Sequence, residues 1–247
     1  MAKKLFTILE NNPQVMDQLS RQLGLDDSLA FYDIYSLTDP DLLAFIPRPV
    51  LALLVIIPLT PTWNEARQAE DKDKGDYEGT GDAEPVIWFK QTIGNACGSI
   101  GLVHCLLNSE ASGHIQSGSV LERIRSDALP KTMWERAKVL EDSDEFEQAH
   151  AEAAKLGDTA APTPQSDEHT GQHFVAFVKA KDGHLWELEG SRKGPLDRGA
   201  LKDDEDVLSP AALEKGLGRL MKIEAEKGGD LRSVSYTHLT LPTILRV

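Results

Sequence analysis

The chain passes through segments of helical period, segments of strand period, and polar stretches with neither. Asn12-Pro13 reads as an N-cap followed by a first-turn proline. Val15, Met16, Leu19 and Leu23 then recur on one helical face, and Gly24 supplies the stop. Asp39-Pro40 opens a second, short helix through Leu42, Leu43 and Phe45, which Pro47 and Pro49 end. Residues 50–57 are apolar at every position but span only about half of the ~20 residues a membrane helix requires. They predict a central strand buried on both faces. Residues 64–85 are acidic with little apolar content and predict a surface excursion. Val86-Ile87-Trp88-Phe89 predicts a short strand leading to Gln91. Residues 97–107 are apolar nearly all round, as in a helix inside the core, and Gly98 and Gly101 allow close packing against neighbouring backbone.

In the second half, residues 142–156 predict a polar helix with an Asp142/Glu145 capping box. Residues 157–170 hold two prolines and almost nothing apolar, and a stretch of that length without structure is usually functional or disordered; both are expected here. Residues 173–179 and 185–189 alternate on either side of Lys181-Asp182-Gly183, hence a hairpin. Ser209-Pro210 caps a helix with Leu213, Leu217, Leu220 and Met221 on one face, ending at Gly228-Gly229. There is no internal repeat and no second core with its own boundary. The pattern predicts one α/β domain.

Composition narrows the partners. Among 247 residues, 40 acidic side chains against 26 basic ones leave a formal charge of −14. That balance argues against nucleic acid, which needs clustered cations, and suits either a basic partner or simple solubility. Met1-Ala2-Lys3-Lys4 starts basic but reaches Glu10 without an apolar stretch, so neither a signal peptide nor a membrane anchor is expected. Two cysteines make no disulfide framework, and the expected location is a reducing compartment, the cytoplasm with the nucleus as a second site.

Cys97 and Cys105 would lie about 12 Å apart along one helix, too far for a disulfide. No Cys-x-x-Cys pair accompanies His104, and no metal site is expected. Cys97 differs from Cys105 in standing at the helix start, where free N–H groups and the helix dipole stabilise a thiolate. Such a cysteine is also compatible with a small core residue. Gln91 lies six residues earlier and could donate to an oxyanion together with the Cys97 backbone N–H. A thiolate nucleophile also needs an imidazole; His173, opening a strand directly after the long polar stretch, is the candidate.

At these residues the chain resembles a known family. Gln91-Thr92-Ile93-Gly94-Asn95-Ala96-Cys97-Gly98-Ser99-Ile100-Gly101-Leu102-Val103-His104 is similar to the nucleophile motif of the ubiquitin C-terminal hydrolases, papain-like cysteine proteases of peptidase family C12. His173-Phe174-Val175-Ala176-Phe177 and Leu185-Trp186-Glu187-Leu188-Glu189-Gly190 resemble that family's histidine and acid segments, in the expected order. The residues around Glu10 and Pro47-Arg48-Pro49-Val50 resemble its N-terminal portion. The resemblance implies a papain-like α/β fold with a central, largely antiparallel sheet flanked by helices. It implies Cys97 as nucleophile, His173 as base and acid, Gln91 as oxyanion donor, and Glu189 as the acid that orients His173. It further implies cleavage after the C-terminal glycine of ubiquitin through an acyl-enzyme, and a crossover loop over the active site at about residues 144–172. Glu10 and Asp33 fall where the family meets ubiquitin's basic tail. No cofactor is implied; a Nedd8-type modifier is a second candidate substrate, and a monomer is expected.

Two departures matter. The family's acid is usually Asp; here it is Glu189, one methylene longer. A two-residue Asp182-Gly183 turn would set 176 opposite 189 and turn Glu189 away from His173. A three-residue loop with Gly183 left-handed pairs 175 with 189 and puts both side chains on one face; this register is the expectation. The second departure is the end. From Val234 the chain reads Val-Ser-Tyr-Thr-His-Leu-Thr-Leu-Pro-Thr, which resembles a translated sequencing adapter. Residues 1–233 are therefore taken as the catalytic domain and 234–247 as a non-native tail, the alternative being a genuine edge strand. The rival reading of function is a ubiquitin-binding module in which Glu189 no longer supports turnover; a third is a structural domain with a buried cysteine.

Overall fold

The computed structural model describes residues 4–157, 171–226 and 235–240, the first two of this last stretch by backbone alone. Its centre is β2 (Val50–Pro58), whose run of eight apolar residues is buried throughout. Side chains alternate along it: Ala52, Leu54 and Ile56 enter one core layer, Leu53, Val55 and Ile57 the other. A strand with helices on both faces has no solvent side, and this is why its sequence shows no polar alternation.

The sheet has six strands in the order β1-β6-β2-β3-β4-β5, every neighbouring pair antiparallel. They are β1 (Ala30–Asp33), β2, β3 (Gln172–Lys179), β4 (His184–Leu188), β5 (Leu196–Ala200) and β6 (Ser235–Thr240). On one face lie α1 (Pro13–Leu23), α4 (Cys97–Asn108), α5 (Val120–Ala128), α6 (Met133–Glu141) and α7 (Asp144–Ala154). On the other lie α2 (Pro40–Leu43), α3 (Pro61–Asp71), α8 (Pro210–Lys215) and α9 (Leu217–Glu226). Among the described residues no helix is long and apolar enough to cross a membrane.

Helix α4 is the buried helix of the sequence, and its glycines set its distance from the sheet. A Cβ at Gly101 would come within 2.8 Å of Leu54, and one at Gly98 within 3.1 Å of the Phe174 ring. Asn12 caps α1 through Val15 N–H, and Gly24, at φ +109°, ends it as expected.

Several expectations need correction. Residues 64–85 are not one surface excursion: α3 occupies the first part, capped by Thr60. Residues 86–89 form no strand and pair with none of the described strands; side chains stand in for the ladder. Asn108 accepts from Ile87 N–H at 2.6 Å and donates to its carbonyl at 2.9 Å, while His104 accepts from Phe89 N–H at 2.9 Å. The cap of α7 is Ser143, which accepts from Phe146 N–H, rather than Asp142. The single helix after Ser209 is two, broken at Gly216, where a Cβ would meet the Phe177 ring at 3.0 Å. The expected stop at Gly228-Gly229 lies outside the described residues. Within the stretch set apart as a tail, β6 runs between β1 and β2, an interior position rather than an edge.

Candidate active site

Three elements supply the site: the N-terminus of α4 with Cys97, the start of β3 with His173, and the residue after β4, Glu189. Cys97 is the first residue of α4, and its N-cap, Ala96, makes no side-chain hydrogen bond to the first-turn N–H groups. Those donors and the helix dipole favour an anion there. Burial alone would raise the thiol's pKa. The hydrogen bond and charge of His173, with the backbone N–H groups of Phe174 and Gly98, outweigh it and hold Cys97 below its ordinary value. Cys105, the other free cysteine, is buried in the helix interior, which pushes its thiol up.

His173 lies on β3, paired with Ile57 of β2. Burial would make its imidazole a weaker base, but the neighbouring Cys97 and Glu189, through their charges and close approach, raise it to about 10; the contact of Nε2 with Glu189 is an ion pair and lacks hydrogen-bond alignment. Glu189 Oε1 stands 3.1 Å from His173 Nε2. Burial disfavours that carboxylate's charge, yet His173 and Arg67 hold it at about 2. The lowered thiol and the raised imidazole both favour a thiolate–imidazolium pair, with the Glu189 carboxylate beside the imidazole.

The hairpin loop makes this contact available. Strands β3 and β4 pair 176 with 188 and 179 with 185, a register that continues to Val175 opposite Glu189. Ala180 N–H donates to His184 O at 3.0 Å, Gly183 N–H donates to Ala180 O at 2.9 Å, and Gly183 has φ +78°. Three residues, 181–183, therefore close the loop with the glycine left-handed, the geometry expected from the sequence.

Gln91 is fastened to the same strand end. Its backbone N–H donates to Gly190 O at 2.8 Å, and Trp88 Nε1 donates to Glu189 O at 3.2 Å. A Cβ at Gly190 would meet Gln91 Cβ at 2.9 Å, so only glycine allows this approach. One N–H of the Gln91 amide is engaged by Ile93 O at 3.2 Å, which leaves the second N–H available. Further back, burial lowers His104 to about 3, so it stays neutral and accepts from Phe89 N–H two residues before Gln91.

Glu10 and Asp33 stand outside this line. Glu10, half-buried, accepts from Asn12 Nδ2 at 3.1 Å and lies against Gly157. Asp33 ends β1, and burial raises its carboxyl. Of the loop expected at residues 144–172, residues 144–154 are helical in α7, and residues 158–170 lie outside the described residues. Sequence reading did not find Arg67, Trp63 and Ser191, all of which surround the Glu189 carboxylate or the His173 ring. The first two sit in a helix hidden by acidic composition. Among the described residues no group of three or more His, Cys, Asp or Glu is arranged to hold a metal ion.

Known proteins share this sequence and fold. The sequence profile of "Ubiquitin carboxyl-terminal hydrolase, family 1" matches residues 6–222. Ubiquitin carboxyl-terminal hydrolase 3 of Arabidopsis thaliana is 37% identical over 227 residues, covering 92% of this chain and 90% of that protein. The human ubiquitin carboxyl-terminal hydrolase isozyme L1 is 32% identical over 197 residues, covering 79% of this chain and 83% of that one. In three dimensions the chain is similar to the catalytic domain of Trichinella spiralis UCH37 bound to ubiquitin vinyl methyl ester, with a TM-score of 0.70 at 16% identity, covering 96% of this chain and 95% of that one. Carrying both the sequence and the fold over most of its length, this chain belongs to the ubiquitin carboxyl-terminal hydrolase family.

Proposed function

We propose that this chain is an active deubiquitinating thiol hydrolase that releases small or flexible adducts from the C-terminal glycine of ubiquitin. The observation that carries the reading is the line of Cys97, His173 and Glu189, with Glu189 Oε1 3.1 Å from His173 Nε2. The Cys97 thiolate attacks the glycine carbonyl and forms the S–C bond, and the carbonyl electron pair moves onto oxygen. The Cys97 backbone N–H and the free N–H of Gln91 take up that oxyanion. As the intermediate collapses, His173 gives its proton to the departing amine, leaving a thioester. His173, now neutral, takes a proton from water; the hydroxide adds to the thioester, and Cys97 leaves as thiolate. Glu189 holds the imidazole in orientation throughout and balances its charge.

The acidic balance of the chain supports a basic partner, and Glu10 and Asp33 are the residues we assign to ubiquitin's basic tail. Glu10 lies against Gly157, where the chain enters residues 158–170, the segment we assign to limiting the size of the leaving group. A Nedd8-type modifier is a further candidate substrate, and the thiolate mechanism suits a reducing compartment, cytoplasmic or nuclear. The test is a ubiquitin whose C-terminus carries a Michaelis acceptor. One equivalent should add to the protein, with the adduct mapped to Cys97 by mass spectrometry and absent in Cys97→Ala. A folded protein that stays unmodified would overturn the reading.

A further inference from the structure

Arg67 of α3 shares the oxygen on which His173 depends. Its Nη1 lies 2.6 Å from Glu189 Oε1, the atom that stands 3.1 Å from His173 Nε2. The same Nη1 donates to Ser191 Oγ at 2.5 Å, and Ser191 Oγ donates to Glu189 Oε1. Glu189 Oε2, also buried, has no hydrogen-bond partner among the described residues. One helical turn before Arg67 stands Trp63, with its ring centroid 4.5 Å from the guanidinium carbon and 6.1 Å from the His173 ring centroid. A second cation near the carboxylate is Lys90, whose ammonium donates to Ser191 O at 3.1 Å and Arg192 O at 2.6 Å.

A carboxylate gripped through one oxygen can pivot about it, and a glutamate has one more rotatable bond than an aspartate with which to do so. The backbone hydrogen bonds of Trp88 and Gln91 fix the main chain at Glu189 and Gly190 but not χ2 and χ3 of the side chain. Arg67 reaches the carboxylate from α3, a different element from the strand end that carries Glu189. Its planar guanidinium lies close to an indole that is itself buried, so the gripping group has little freedom of its own.

We propose that Arg67, seated on Trp63, is a positioning residue that pins the long carboxylate of Glu189 in line with His173. It supplies the constraint that a shorter acid would get from its own length. The proposal rests on the roles given above to Cys97, His173 and Glu189. Arg67 does not touch the reacting atoms. Its effect passes through Glu189 to the imidazolium and so to the thiolate.

The experiment measures the pH midpoint of Cys97 carbamidomethylation by iodoacetamide, read at the Cys97 peptide, alongside steady-state hydrolysis of a ubiquitin C-terminal fluorogenic amide. The proteins are the wild type, Arg67→Ala, Arg67→Lys and Glu189→Gln, each checked for folding by thermal melting. Arg67→Ala should raise the midpoint by about one pH unit. It should lower kcat about tenfold, with KM within about twofold. Arg67→Lys, which keeps the charge without the fork, should fall between it and wild type. If both Arg67 variants leave midpoint and kcat unchanged while Glu189→Gln moves them, the positioning role is overturned and the acid assignment stands. If Glu189→Gln moves neither, the acid assignment fails and the proposal falls with it. Should Arg67→Ala not fold, the intermediate shift in Arg67→Lys carries the test, and a wild-type midpoint there overturns it.

Discussion

Glu189 reaches His173, Oε1 to Nε2 at 3.1 Å, because the loop between their strands holds three residues and not two. Strand side chains alternate faces, so closing the same residues around a two-residue turn, with Lys181 opposite His184, would present the acid to the other face. Inserting one alanine between Leu188 and Glu189, which moves the acid one place along the strand, should turn it away from His173. Turnover should fall by about 10² or more, the loss expected when a catalytic imidazole is no longer oriented. Circular dichroism should still report a folded protein. Activity retained in a folded insertion variant would show that another group orients His173.

Gln91 should act on the transition state and not on binding. Gln91→Ala is expected to lower kcat by about 10²–10³, in the range of other lost oxyanion donors, with little change in KM. Rapid-mixing and steady-state kinetics on a ubiquitin amide check this. A rise in KM alone would assign Gln91 to ubiquitin binding.

The same ionic line makes a prediction for stability against pH. Glu189, lowered from 4.5 to about 2, stabilises the fold fully above its unfolded value, and this is lost as pH falls through about 2. His173, raised from 6.5 to about 10, stabilises fully below 6.5, and this is lost as pH rises through about 10. Both contributions are complete only between 4.5 and 6.5. Urea midpoints measured across pH in Cys97→Ala, which removes the thiol's own opposing contribution, should therefore show it losing its advantage over Cys97→Ala/His173→Ala/Glu189→Ala at both ends. A constant difference across pH would refute the coupled line.

How far the sequence reached depended on whether a signal was local. Asn12, Pro13 and Gly24 mark α1 within a few residues, and Cys97-Gly98 to Leu107 is too apolar to be anything but core, so both elements match the structure. The hairpin register was legible for the same reason, since the Lys181-Asp182-Gly183 loop alone decides it. Helix α3 carried the same Thr60-Pro61 signal as α1 but has a single buried residue, Trp63. Its other ties are ion pairs with distant residues, Arg67 to Glu189 and Glu70 to Arg192 and Arg198, which no local period reveals. Residues 86–89 have strand-like composition, yet His104 and Asn108 satisfy their backbone, and only the packed structure discloses that exchange. The sequence offered Cys97, His173, Gln91 and Glu189 as candidates, and it did not disclose Arg67, Trp63 and Ser191 around Glu189 and His173.

Strand β6 offers a test on stability. Thr237 and Thr240 are buried but bonded, Thr237 Oγ1 to Asn11 Oδ1 at 2.7 Å and Thr240 Oγ1 to Pro49 O at 2.6 Å. His238 is buried opposite Leu53 and stacks on Tyr32, and neither ring nitrogen has a well-formed hydrogen bond among the described residues. Burial lowers it to about 4, so it is neutral yet still polar in an apolar layer. His238→Val should raise stability by about 1 kcal/mol, read as a higher urea midpoint at unchanged slope. This is the behaviour expected if residues 234–247 were not selected for this position; a lower midpoint would argue that His238 belongs there.

The central claim is that Cys97, served by His173 and Glu189, cleaves at the C-terminus of ubiquitin. The most direct measurement is hydrolysis of a ubiquitin C-terminal fluorogenic amide by this chain, with Cys97→Ala in parallel. The account predicts multiple turnovers by the wild type and none above background by Cys97→Ala. A folded wild-type protein that binds ubiquitin without turning over the amide would contradict it and leave a ubiquitin-binding module in its place.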